Sequence, residues 1–176
     1  MTHAELVALG VRWLRDRQRC LAVISENVTA WSTGECPDGF GINGRRETVL
    51  VECKASRADF LADRRKKFRA LPGLGVGVKR YFLAERHVVG DLDLPERWGL
   101  LVPVDGRLRC RIKAEAQPAN RDAEFELLFN VVRAYQAQGI RYLPCVMDGK
   151  VLAAKHAAHQ SDIAEAQALM GGLGMR

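Results

Sequence analysis

The amino-acid sequence predicts an α/β protein (α+β in its mixed strand directions) built on a central mixed β-sheet flanked by helices. The 176 residues are 48% apolar and 27% charged, which is ordinary for a globular chain that buries a core. The segments run as helix, three strands, helix and strand, followed by further elements, and this order favours a sheet covered by helices. No apolar stretch approaches the ~20 residues that a membrane-spanning helix needs.

The first predicted element is an amphipathic helix over residues 2–18. Leu6 and Trp13 belong to an apolar set near helical spacing, and Thr2 with Glu5 resembles a capping box. The segment lacks the apolar centre of a signal peptide. We therefore expect a cytoplasmic protein with no membrane partner.

Three strands and a basic helix are predicted next. CLAVISENV, from Cys20 to Val28, is the first strand, and PDGFGI and ETVLVEC follow on either side of the turn-forming NGRR at 43–46. SRADFLADRRKKFRALPG then has the pattern of one helix, which Ser56 caps and Pro72-Gly73 end.

The second half of the chain adds a strand, a hairpin and a helix. RYFLAE at 80–85 is the fourth strand, and WGLLVPV and RLRCRIKAE form a hairpin joined by Asp105-Gly106. Residues 120–138 form a long helix. We predict one domain over 1–150 and an Ala-rich, helical and partly flexible tail over 151–176.

The candidate site lies at the end of the third strand, in the stretch VLVECK. Side chains alternate along a strand, so Glu52 and Lys54 share one face while Val49, Val51 and Cys53 face a packed helix. A carboxylate holds a hard divalent cation, and an ammonium beside it orients a water or neutralises phosphate charge. The alternative is an ordinary ion pair on an edge strand.

A single carboxylate is a poor Mg²⁺ site, so a second acid is expected nearby. A two-residue turn at Asn43-Gly44 would place Glu35, not Asp38, on the face of Glu52. A three- or five-residue loop, or a bulge, would bring Asp38 there instead. We favour Asp38 because Arg45 and Arg46 make a longer loop plausible, and keep Glu35 as the alternative.

Positive charge is concentrated around this strand. Of the net charge of +6, residues 45–80 contribute eleven Lys/Arg against four Asp/Glu. Such a region suits a polyanion, and we expect DNA backbone contacts, rather than base reading. The expected contacts are Arg57, Arg64, Arg65 and Lys67. A solvated helix face, with Asp63 and Lys67 as an i,i+4 pair, is the alternative.

Other residues give weaker signals. The five cysteines are scattered and form no C-x-x-C pair, which argues against a disulfide framework or a cysteine zinc site. The sequence reveals no partner for His3. The three tryptophans are interpreted as core or rim packing rather than a base-stacking platform; they are Trp13, Trp31 and Trp98.

Pro37-Asp38 followed by Glu52-Cys53-Lys54 on the next strand resembles the PD-(D/E)XK nuclease superfamily. ECKASRADFLADRRKKFR and PERWGLLVPVDGRL more specifically resemble MmcB-like DNA repair proteins and related phage nucleases, over about residues 20–110. The resemblance implies a restriction-endonuclease-like core. It also implies metal binding by Asp38, Glu52, the main-chain carbonyl of Cys53 and, directly or through water, Glu26, with Lys54 as the catalytic lysine.

The sequence therefore predicts a Mg²⁺- or Mn²⁺-dependent deoxyribonuclease in repair, recombination or phage DNA processing, with Asp38, Glu52 and Lys54 as its catalytic residues. One alternative is a nuclease-fold module that binds nucleic acid without cleaving it. Another is a structural protein that binds neither metal nor nucleic acid. The choice between DNA and RNA, the strandedness of the substrate and endo- or exonuclease action stay open. The oligomeric state is also undetermined, and a homodimer is compatible with the sequence.

Overall fold

The sheet has six strands in the order β1-β2-β3-β4-β5-β6, in a computed structural model that describes residues 1–138. Helices flank this mixed sheet, which confirms the predicted α/β class. The predictions for residues 139–150 and for the tail over 151–176 lie outside the described residues. Within the described part of the chain, no helix is both long and apolar enough to cross a membrane.

Along the chain, one helix precedes three strands, two short helices precede the next three strands, and a long helix follows them. The strands are β1 (Cys20–Ser25), β2 (Gly39–Asn43), β3 (Thr48–Lys54), β4 (Lys79–Ala84), β5 (Gly99–Val104) and β6 (Arg107–Ile112). The helices are α1 (His3–Asp16), α2 (Arg57–Asp63), α3 (Lys67–Ala70) and α4 (Arg121–Ala137). Short 3₁₀ turns occupy Pro72–Leu74 and Asp91–Asp93.

Strand directions bring several strand ends to one edge of the sheet. β1 pairs antiparallel with β2, and β2 pairs antiparallel with β3. β3, β4 and β5 run parallel, and β6 returns antiparallel to β5. The carboxyl ends of β1 and β3 and the amino end of β2 therefore meet at the same edge, where ligand sites of such sheets commonly form.

The two faces of β3 bury different neighbours. Val49, Val51 and Cys53 pack with Leu6 and Leu14 of α1, which confirms the predicted alternation along this strand. The opposite face joins a second cluster of buried side chains that includes Leu50, Phe60 of α2, and Ala123 and Leu127 of α4. Every residue of β3 is buried, so its polar side chains sit inside the protein.

β1 is shorter than predicted. It ends at Ser25, because Glu26 and Asn27 adopt left-handed backbone conformations with φ of 35° and 60°. Such angles are uncommon for residues other than glycine and cannot continue a strand. The bend turns the chain at the edge of the sheet and carries the Glu26 side chain with it.

The single basic helix predicted over the SRADFLADRRKKFRALPG segment is wrong. α2 ends at Asp63, and the extended backbone of Lys66, with φ −69° and ψ 136°, separates it from α3. On a continuous helix the side chains of Asp63 and Arg69 would point about 120° apart, at roughly 100° per residue. The break allows both to face the interior, where they form a buried ion pair.

The remaining predicted elements agree with the structure to within a few residues. Thr2 and Glu5 form the capping box of α1, and Asn120 caps α4. Asp105 and Gly106 join β5 to β6 with φ of 49° and 71°, as a tight hairpin turn between twisted strands requires.

Candidate metal centre

Three carboxylates gather at the edge where β1, β2 and β3 meet. Ser25 pairs with Gly39, so Glu26 and Asp38 continue outward from that pair. Gly39 pairs with Val51, so the same register places Asp38 opposite Glu52. The hairpin thus brings together acids that lie 12 and 14 positions apart in the chain.

The loop between β2 and β3 decides which acid reaches Glu52. Asn43 N–H donates to the carbonyl of Glu47 over 3.1 Å, which leaves a three-residue loop, Gly44 to Arg46. This is one of the loop lengths that places Asp38, and not Glu35, directly across from Glu52. The side chain of Asn43 holds the loop, since its Oδ1 accepts from the backbone N–H groups of Arg45 and Glu47.

Asp38 is fixed by the neighbouring strand. Its Oδ2 accepts a hydrogen bond of 2.7 Å from the backbone N–H of Cys53. The N–H and C=O of one strand residue leave the strand on the same side, so the Cys53 carbonyl is directed toward the side of Asp38. The carbonyl predicted as a metal ligand therefore faces the carboxylate cluster.

His3, for which the sequence revealed no partner, contacts two of these acids. Its Nε2 lies 3.2 Å from Glu26 Oε1 and 3.4 Å from Asp38 Oδ1. One ligand atom from each of the three residues lies within 4.8 Å of the other two. Carboxylate oxygens and an imidazole nitrogen form a donor set that suits a divalent cation such as Mn²⁺.

Glu52 and Lys54 lie on one face of β3, as predicted, and both are buried. Glu52 Oε2 is 3.4 Å from Lys54 Nζ. Glu52 Oε1 is 2.8 Å from Arg69 Nη2, although the angle is not that of a hydrogen bond. Glu52 therefore pairs with two cations, and among the described residues the group around His3 contains Asp38 and Glu26 but not Glu52.

Arg69 is the centre of a buried network behind the site. Its guanidinium contacts Glu35 at 2.6 Å, Asp63 at 2.7 Å and Glu52 at 2.8 Å. Asp63 also contacts Lys54 at 3.4 Å and Lys66 at 2.8 Å. These contacts with Arg69 and Asp63 fix the side chains of Glu52 and Lys54 from the protein interior. Glu35, the alternative acid from the sequence, serves here as a partner of Arg69.

The pKa values separate these carboxyls into two kinds. Burial and the nearby charge of Glu52 raise the pKa of Asp38 to about 6. Burial also raises the pKa of Glu35. For Asp63, burial acts in the same direction, but Arg69 and Lys54 outweigh it and lower its pKa. Asp63 is therefore a permanent anion, whereas Asp38 sits near the protonation range of neutral buffers.

Lys54 keeps its proton. Burial alone would lower the pKa of this ammonium, but the charges of Glu52 and Asp63 more than compensate and raise it. A lysine with a raised pKa is a poor general base at neutral pH. It acts instead as a fixed positive charge beside the carboxylates.

The predicted nucleic-acid contacts differ in their surroundings. Arg64, Arg65 and Lys67 are exposed around the break between α2 and α3. Arg57 instead pairs with Asp93, its Nη2 lying 2.8 Å from Oδ1, and also donates to the Val88 carbonyl. Arg57 is thus already engaged within the protein.

The pairing of Asp63 with Lys67, offered as the alternative role for those residues, is wrong. Asp63 points inward, and Lys66 is its neighbour on the surface side. The cause is the helix break at Lys66. Residues four apart are neighbours only on a continuous helix, and Asp63 and Lys67 lie on different helices.

Comparisons with known proteins support the fold alone. No protein-family model matches this chain. No curated protein matches it. A solved structure described as "SPO1766 protein of unknown function from Silicibacter pomeroyi" has a TM-score of 0.59 at 21% identity, with 78% of this chain and 89% of that chain covered. At this identity the match establishes a shared architecture and carries no function.

Proposed function

We propose that this chain is a Mg²⁺- or Mn²⁺-dependent nuclease that hydrolyses phosphodiester bonds, with DNA as its main substrate. The observation that carries the proposal is the convergence of Glu26, Asp38 and Glu52 beside Lys54 at one edge of the sheet. The proposal includes membership of the PD-(D/E)XK superfamily, which the Asp38 and Glu52-Cys53-Lys54 pattern suggested.

The cation would be held first by His3, Glu26 and Asp38. Their donor atoms already lie together, and the Cys53 N–H orients Asp38 so that Oδ1 faces His3. The Cys53 carbonyl and Glu52 are the remaining candidate ligands, and Glu52 would join by releasing one of its two cationic partners. When bound, such an ion polarises a phosphate oxygen and lowers the pKa of a coordinated water.

The residues of the chain supply binding and charge. Lys54, held as an ammonium by Glu52 and Asp63, is placed to neutralise negative charge that develops on the scissile phosphate. Arg64, Arg65 and Lys67 add exposed cations that suit contacts with neighbouring backbone phosphates. Arg69 orients Glu52 from within the core.

The test is a cleavage panel of duplex, single-stranded and branched DNA and of RNA, with Mg²⁺, Mn²⁺ or EDTA. Asp38→Asn and Lys54→Ala should each lower the cleavage rate at least about 100-fold, because each removes a group that acts on the transition state. Glu47→Gln is the matched control: its carboxylate lies in the same hairpin but pairs with Lys79. This variant should cleave at the wild-type rate.

Circular dichroism of each variant excludes loss of fold as the cause. Cleavage that persists in EDTA, or full activity in both site variants, would contradict the proposal. The alternative of a non-cleaving module predicts nucleic-acid binding with no heat of Mn²⁺ binding in isothermal titration. A purely structural protein predicts neither kind of binding.

A further inference from the structure

A row of aromatic and cationic side chains lies on the surface of α4 and of the segment that follows β1. It consists of Trp31, Arg133, Phe129 and Phe125, which we term the aromatic ladder. Residues 125, 129 and 133 share one face of α4 because they are spaced four apart. Trp31 lies in the segment between β1 and β2, which follows Glu26 directly.

The ladder is a continuous stack. The Arg133 guanidinium lies 5.2 Å from the ring centre of Trp31 and 5.8 Å from that of Phe129. The rings of Phe129 and Phe125 stack with centres 6.2 Å apart and an angle of 18° between their planes. Flat rings alternating with a guanidinium present the type of surface on which nucleobases stack.

These rings are exposed rather than packed. Trp31 is 62% exposed, Phe125 67% and Phe129 47%. Trp13 and Trp98 are buried in the core, whereas Trp31 is exposed at the surface beside Arg133. Exposed aromatic groups of this size commonly mark a binding surface.

A cavity beside the ladder is lined by the segment after β1 and by the second half of α4. It has a volume of about 520 Å³, and its walls include Asn27, Val28, Trp31 and Arg133. Among the described residues that line it, Arg133 is a cation and none is a carboxylate. Asn27 is the residue after Glu26, and it shares the cavity wall with Trp31. A nucleic-acid strand that runs from the acidic cluster along this wall would therefore reach the ladder.

We propose that the aromatic ladder binds unpaired bases of a single-stranded nucleic acid whose backbone reaches the metal centre. Bases of a duplex are stacked on one another, and only an unpaired segment presents ring faces to protein side chains. The inference rests on the proposed function for its substrate, since it assigns single-stranded or locally opened nucleic acid to that same site. Its binding step is independent of cleavage.

The test measures affinity in EDTA, so that no cleavage occurs. Binding of a labelled oligothymidylate is followed by fluorescence anisotropy for the wild type, Trp31→Ala, Phe129→Ala and the control Leu92→Ala, whose side chain is fully exposed in a different segment. Trp31→Ala should weaken binding about tenfold, the effect of losing one stacked base. Leu92→Ala should bind as the wild type does.

An abasic oligonucleotide with the same phosphates separates stacking from charge. The wild type should bind it more weakly than oligothymidylate, and Trp31→Ala should cause no further loss on it. Unchanged oligothymidylate affinity in Trp31→Ala, or an equal loss on both ligands, would overturn the inference. So would a change from dimer to monomer in Trp31→Ala without a change in affinity, which would identify the ladder as a contact between copies of the chain.

The two proposals fail in different ways. Stacking through Trp31 without any metal-dependent cleavage supports the ladder and refutes the nuclease. Metal-dependent cleavage of intact duplex that does not depend on Trp31 supports the nuclease and refutes the ladder.

Discussion

The two ends of β3 both bury charged groups, but in opposite ways. At the Thr48 end, the carboxylate of Glu124 accepts hydrogen bonds from Thr48 Oγ1 at 2.7 Å, Gly77 N–H at 2.9 Å and Arg121 at 2.7 Å. Nearby, Arg80 donates to the carbonyls of Gly77, Pro72, Gly75 and Pro118. Each charge at this end is matched mainly by neutral donors or acceptors.

At the Lys54 end the carboxylates outnumber the cations buried among them. Four acids, Glu35, Asp38, Glu52 and Asp63, surround Lys54 and Arg69. Like charges in a low-dielectric site repel one another, which contributes to the raised pKa of Asp38. The charges at the Thr48 end are thus matched mainly by neutral groups, whereas the Lys54 end carries an excess of negative charge.

The largest expected loss of stability comes from replacing Arg69 at the Lys54 end. Arg69→Met leaves Glu35, Glu52 and Asp63 buried without their shared partner, and should lower the free energy of unfolding by about 3–5 kcal/mol. Urea denaturation at pH 7 measures the loss. Arg57→Met removes a partly exposed pair with Asp93 and a hydrogen bond to the Val88 carbonyl, and should cost much less than Arg69→Met. Equal costs in the two variants would show that the buried network is not the source of stability.

A smaller effect is expected at the opposite end of the strand. Glu124→Ala removes the acceptor of Thr48 and of the Gly77 N–H, and should lower the free energy of unfolding by about 1–3 kcal/mol. Mn²⁺ affinity, measured by titration calorimetry, should stay at the wild-type value. Glu126→Ala on the same helix is the control, since its carboxylate accepts from Ser32 in an exposed position. A loss of Mn²⁺ affinity in folded Glu124→Ala would mean that the two ends are not separate.

A third change concerns Asp38, and it has the opposite sign. Its folded pKa of about 6 lies above the ordinary value of 3.8, so the stability linked to its protonation is complete below about pH 4 and is lost as the pH rises through 6. In EDTA, Asp38→Asn should therefore be more stable than the wild type above pH 6, by on the order of 1–3 kcal/mol. Thermal unfolding from pH 4 to 8 measures how this gap opens.

Glu47 is the control for the pH series, because its pKa is shifted in the opposite direction to that of Asp38. Hydrogen bonds from Asn43 and Lys79 lower the pKa of Glu47, so its contribution is present at neutral pH and is lost as the pH falls. Glu47→Gln should therefore show no gain in stability at pH 7. An Asp38→Asn variant that is less stable than the wild type at pH 7 in EDTA would refute the repulsion inferred at the Lys54 end.

Local sequence patterns determine only part of the site at the Lys54 end. Alternation along VLVECK was enough to place Glu52 and Lys54 on one face, since the strand period is two. The choice between Asp38 and Glu35 required the hairpin register, which depends on how Asn43 bonds to the loop. An Asn-Gly pair is compatible with loops of two or three residues, so the sequence left that choice open.

Other features depend on contacts that no local pattern contains. The break at Lys66 exists because Asp63 and Arg69 both face partners in other segments, and helix propensity alone favoured a continuous helix. His3 meets Glu26 and Asp38 only after α1 has packed on the sheet. The arginine that anchors three carboxylates was therefore indistinguishable, in the sequence, from its solvent-exposed neighbours.

The position of Arg69 has an evolutionary consequence. A lineage that lost the proposed nuclease activity could replace Asp38 and would gain stability by doing so, because the repulsion at that carboxylate would disappear. The same lineage could not readily replace Arg69, because Glu35, Glu52 and Asp63 would first have to change together. Descendants without the proposed activity should thus retain the arginine long after the aspartate is gone.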